Sequence, residues 1–143
     1  MMERPYTHVI TMLQKAGLRP TRQRMGLARL LFESGNRHVT AEDLHREAKA
    51  AGIPVSLATI YNTLHQFTGS GLLREVIVEP GRAYFDTNTS GHHHFFFEET
   101  GEICDIPEND VSISRLPALP EGATINRIDV VVRVNQGEDK KNI

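Results

Sequence analysis

The chain has 143 residues, enough for one medium domain or two small ones, each with a modest core. It holds no apolar run approaching roughly 18 residues and no charged-then-apolar leader, which excludes membrane insertion and points to a soluble, cytoplasmic chain. Its single cysteine, Cys104, excludes an internal disulfide and any zinc site of three or four thiolates.

The net charge of −2 hides an asymmetry. Residues 1–86 hold 11 Lys/Arg against 8 Asp/Glu, whereas residues 87–143 hold 5 against 10. Between Glu3 and Glu33 there is no acid, only Arg4, Lys15, Arg19, Arg22, Arg24 and Arg29. A block of one sign suits a polyanion-facing surface, and a solvated helix face can show the same pattern.

Taken in chain order, residues 6–16 place Val9, Ile10, Leu13 and Ala16 at helical spacing, and Gly17 ends that helix. Thr21 is an N-cap for a second helix running to about Glu33, apolar at Leu27, Leu30, Leu31 and Phe32. Thr40 opens a third, with acids in the first turn where the helix dipole favours them. Ser56 caps a fourth, in which Ile60, Leu64 and Phe67 face a core and Ala58, Thr59, Tyr61, Asn62 and Gln66 face away. After Gly71 the period changes: LLREVIV and RAYFD are β-like runs joined by EPG, a hairpin. Three helices, a polar fourth helix and a hairpin form the order of a winged helix-turn-helix module, whose last helix enters the major groove. Residues 1–86 are assigned to it.

Residues 87–135 are β-rich. FFFEETGEICDI gives two short strands around a turn, and INRIDVVVRV (125–134) gives a third with near-alternating Ile/Val. The proline-bearing stretch between leaves room for one short helix at most. Residues 136–143 read as a polar, disordered tail. A three-stranded sheet is marginal alone, and Ile125, Ile128, Val130, Val132 and Val134 are too many apolar side chains for it to hide, so a homodimer is expected.

The chemistry concentrates in GHHHFFFEETGEICD (91–105). On a strand, His92 and His94 point to one face and His93 to the other. An H-x-H pair is a familiar start to a metal site, and histidines at a surface or interface are the alternative. Asp86 and Asp105 close neighbouring strands, and His38 lies in the loop between helices two and three. Cys104 reads as a small buried hydrophobe.

The stretches GLRPTRQR, NRHVTAEDLH, SLATIYNTLHQF, GLLREV and the H-x-H strand resemble, in order and spacing, the ferric uptake regulator family across roughly residues 10–134. HHHFFFEETGEICDIP is most similar to its iron response regulator (Irr) branch. The resemblance implies an α+β fold: an N-terminal winged helix-turn-helix DNA-binding domain followed by a small α/β dimerisation domain, with a regulatory metal site between the two. The family's ligands fall on His38, Asp86, His92, His94 and Asp105, and Asp at 86 and 105 resembles the peroxide-sensing members. Such a set suits Fe(II), Mn(II) or Zn(II), and if haem binds, its place is His92, His93 and His94, with Phe95–Phe97 lining an apolar edge.

Several features depart from the family pattern. The paired C-x-x-C motifs are missing, so no structural four-cysteine zinc is expected. Ile128 stands where the family has a second sensory histidine, and no Cys-Pro haem motif is present. Asn62 replaces the usual Arg; it prefers adenine where Arg prefers guanine, which suits an A·T-rich inverted-repeat operator in double-stranded DNA. Expected DNA contacts are Lys15, Arg19, Thr21, Arg22, Arg24, Ser56, Thr59, Tyr61, Asn62 and Arg82, with Tyr61 alternatively packing at the helix–wing junction. The reading is thus a repressor-type regulator of iron and haem homeostasis genes, not an enzyme. His92-x-His94-x3-Glu98 also resembles a cupin iron motif, but no histidine follows residue 94 to complete one. A haem or metal carrier would leave the basic block and the polar fourth helix unexplained.

Overall fold

In the computed structural model, residues 6–135 are described, and the expected tail at 136–143 lies outside them. The chain divides between Thr89 and Ser90 into two compact units.

The first unit is helical with a small sheet. Helices α1 (Thr7–Lys15), α2 (Arg22–Phe32), α3 (Ala41–Ala50) and α4 (Leu57–Gly69) are joined by the two-residue strand β1 (His38–Val39) and followed by β2 (Arg74–Glu79) and β3 (Arg82–Asp86). Three helices start where the sequence predicts: the Thr21, Thr40 and Ser56 side chains accept from the amides of Arg24, Asp43 and Thr59. Asp43 returns the contact to the Thr40 amide, completing a capping box. The apolar stripes converge on one core that includes Leu13, Leu27, Leu31, Leu44, Ile60, Leu64, Phe67 and Phe85, all essentially inaccessible to solvent. Each such side chain contributes about 1.5–3 kcal/mol on burial. The wing turns at Gly81, whose φ of +75° is one that L side chains rarely adopt.

The first unit corrects one expectation. His38 does not lie in a loop: β1 pairs antiparallel with β3, giving the sheet order β1-β3-β2 and setting His38 opposite Asp86. A two-residue strand has too little pattern for periodicity to detect.

The second unit is a sheet of order β5-β4-β6, built from β4 (His92–Phe97), β5 (Ile103–Pro107) and β6 (Val131–Val134). Its helical content among the described residues is a single 3-10 turn, Glu108–Asp110. The last strand is shorter than the expected 125–134. Beta6 runs parallel to β4 with His94 opposite Val131, and just before it the Val130 amide donates to the His93 ring rather than to a strand backbone. Alternating Ile/Val make a strand only where a neighbour supplies the ladder, so Ile125 stays outside it and is exposed, while Ile128 and Val130 are half-buried. Cys104 is also corrected: it is exposed, not buried. It pairs with Phe95, which pairs in turn with Val132, so these three share one sheet face. Phe95 and Val132 are each 38% exposed.

Candidate functional site

In the first unit, the β1–β3 pairing brings His38 Nε2 to 3.1 Å from Asp86 Oδ2. The other Asp86 oxygen accepts the Asn88 amide at 2.9 Å, so the buried carboxylate is fixed in direction. The entry to β1 is pinned from outside. Arg37 donates its amide to Thr87 Oγ1, and its guanidinium holds Glu47 with two bonds and the Leu30 carbonyl with a third. The Glu47 hydrogen bond raises the guanidinium pKa above its ordinary value, against the lowering effect of burial.

The second unit gathers a further donor set. His92 and His94 lie on one face of β4 with ring centroids 4.6 Å apart, and the register places Asp105 opposite His94. Their Nε2 atoms stand 3.4 and 3.6 Å from Asp105 Oδ1. Those separations are long for hydrogen bonds. They match donors at tetrahedral corners about 2.1 Å from a common ion, which lie roughly 3.4 Å apart. His92 Nδ1 donates to the Ser90 carbonyl at 2.6 Å, leaving Nε2 as the basic nitrogen on the Asp105 side. Ring-to-carbonyl bonds of this kind orient metal-ligating histidines. All three histidines of the triplet are buried. His93 points to the opposite face, where its Nδ1 accepts the Val130 amide at 3.1 Å and tethers the approach to β6.

The basic and polar residues of the first unit meet in a groove of about 460 Å³ lined by Arg19, Thr21, Arg24, Thr59, Asn62 and Gln66, among others. Arg24 spans it, donating to Gln66 Oε1 and to the Arg19 carbonyl, and so ties α2 to α4. Asn62, Arg22 and Lys15 are exposed, Thr21 and Ser56 serve as caps, and Arg82 pairs with Glu79 across the wing turn at 3.3 Å. Tyr61 is exposed, and its hydroxyl donates to Glu42 of α3. The contacts of Arg24, Arg37 and His93 were not legible in the sequence. The partners of Arg24 and His93 lie 42 and 37 residues away, and no motif spacing signals them.

Residues 15–133 match the sequence profile of the ferric uptake regulator family. Ferric uptake regulation protein from Pseudomonas aeruginosa is 36% identical over 100 residues, 69% of this chain and 75% of that protein. The peroxide-responsive repressor PerR from Staphylococcus epidermidis is 36% identical over 96 residues, 67% of this chain and 63% of that one. Among solved structures, the ferric uptake regulator from P. aeruginosa with manganese superposes at a TM-score of 0.69 and 27% identity, covering 90% of this chain and 97% of that one. The Vibrio cholerae regulator, at 20% identity and the same TM-score, shares the fold. These relatives are transcription regulators, and none of the matches favours the cupin or carrier readings.

Proposed function

The chain belongs to the ferric uptake regulator family of metal-responsive transcription regulators, and we propose that within it the protein is an iron-type regulator of the iron response regulator branch. It binds A·T-rich inverted-repeat DNA as a cytoplasmic homodimer, and haem or a divalent metal controls that binding. The observation that carries this reading is the donor set of the second unit: two imidazoles converging on one carboxylate oxygen at ligand-to-ligand separation, with one ring's tautomer fixed by a carbonyl.

His92, His94 and Asp105 would hold a divalent ion, and His38 with Asp86 would complete its coordination. The donor chemistry fits: imidazole and carboxylate without thiolate suit Fe(II), Mn(II) or Zn(II). The ion supplies a charge that two sets of ligands can share. This chain's part is selection, because ligands drawn from two units favour only the arrangement that brings them together. Binding requires a free ring nitrogen, and the Ser90 carbonyl, by accepting from His92 Nδ1, leaves Nε2 as the nitrogen that would face the ion. Haem, if it is the effector, would use imidazoles of the same triplet, and His93 would have to release the Val130 amide to take part. DNA contact falls to Asn62, Thr59 and Tyr61 of α4, with Lys15, Arg19 and Arg22 on phosphates and Arg82 from the wing.

The branch resemblance implies DNA binding when iron is scarce and release when haem rises. Haem and Mn(II), titrated separately into an operator-binding assay, test this. Haem should release wild-type protein, and replacing His92, His93 and His94 with alanine should abolish the haem Soret shift and the release together. Full haem release by the triple variant would refute the assignment.

A further inference from the structure

Glu42 and Tyr61 form a contact that neither the core nor the metal ligands require. Glu42 lies in the first turn of α3, where the helix dipole favours a carboxylate, and Tyr61 lies on α4. The Tyr61 hydroxyl donates to Glu42 Oε1 at 2.9 Å, with Oε2 at 3.4 Å. The phenol ring stacks on His65, with centroids 6.4 Å apart and 21° between planes. Both Glu42 and Tyr61 line an open cleft bounded by the wing residues Glu75, Ile77, Arg82 and Ala83. The charge-assisted bond also raises the Tyr61 pKa above its ordinary value.

A phenol has one proton to donate. When that proton goes to Glu42, the oxygen facing outward can only accept. We propose that Glu42 is a positioning residue for operator specificity: by taking the Tyr61 proton it presents Tyr61 to the major groove as an acceptor, selecting a base with an exocyclic amino group. Those bases are adenine through N6 and cytosine through N4. The same arrangement turns Tyr61 away from phosphate, whose oxygens need a donor, and the Glu42 carboxylate repels phosphate directly. Without Glu42, Tyr61 could donate to phosphates or to acceptor edges, and its contact would lose its sequence preference. This inference rests on the assignment of α4 as the reading helix.

The test compares wild type, E42A, E42Q, Y61F and E42A/Y61F on a randomised operator library, with phenol ionisation followed by ultraviolet absorbance in the free proteins. Y61F should lose a preference for an amino-bearing base at one position of each half-site. E42A should lose about tenfold of that preference, the order of one base contact. E42Q, which keeps an acceptor, should retain it, and E42A/Y61F should match Y61F. Preferences at other positions should stay, which separates positioning from a shift of the whole helix. In the free protein, the ionisation that Y61F removes should move to lower pH in E42A. Unchanged selection by E42A, or an equal loss at every position, would overturn the proposal. An unmoved phenol ionisation would overturn its geometry. If wild type selects no sequence while E42A still lowers the phenol ionisation, the reading of α4 fails and the specificity proposal falls with it, while the contact stands.

Discussion

The two units solve the problem of a small core in opposite ways. The first, through Thr89, encloses a continuous apolar cluster of leucines, alanines and phenylalanines drawn from all four α-helices and from the wing sheet. The second buries Phe96 and Ile106 as its hydrophobic residues among the described positions, alongside the three histidines 92–94. It leaves Phe95, Val132, Leu116 and Leu119 substantially exposed. One unit is held by what it hides. The other buries three imidazoles and leaves apolar side chains exposed, so on the reading proposed above its stability would depend on ligand and partner.

Four substitutions sharpen that contrast, in decreasing order of effect. Leu64→Ala opens a cavity in the filled core and should cost about 2–5 kcal/mol in denaturant unfolding, with or without metal. His94→Ala should act only through a ligand. Wild type in Mn(II) at about 100 times its Kd should gain roughly 2.7 kcal/mol, and the variant, its affinity down about tenfold or more, should gain at most about 1.4 kcal/mol in the same Mn(II) while matching the apo wild type within about 1 kcal/mol. An equal loss without metal would mark His94 as a packing residue instead. Val132→Glu places a charge on the exposed apolar face beside Phe95 and should weaken self-association by about tenfold to a hundredfold in sedimentation, a change worth roughly 1.4–2.7 kcal/mol. Unchanged assembly would move the dimer contact off this face. Thr40→Ala removes one half of the capping box on α3 and should cost about 1 kcal/mol, confined to the first unit.

The same contrast explains what was legible in the sequence. In the first unit the helix starts follow from Thr21, Thr40 and Ser56, because a cap is a local hydrogen bond between near neighbours. The buried stripe of α4 follows from the spacing of Ile60, Leu64 and Phe67. Strand alternation likewise put His92 and His94 on one face and His93 on the other, as found. What failed depended on contacts distant in sequence. Beta1 exists because β3 lies beside it, β6 is cut short where His93 captures an amide, and Cys104 is exposed because its sheet face has no cover among the described residues. The Arg24 bond to Gln66, which ties α2 to α4, was invisible for the same reason, 42 residues separating the partners.

We propose that His38 and Asp86 share one ion with His92, His94 and Asp105. Calorimetric titration of Mn(II) into the metal-free 143-residue protein, wild type beside His38→Ala and His94→Ala, is the decisive measurement. A shared site predicts that wild type and both variants are saturated by the same single class of sites, and that each variant loses about tenfold or more in affinity. If His94→Ala abolishes binding while His38→Ala keeps wild-type affinity and stoichiometry, the ion belongs to the second unit alone and the claim is wrong.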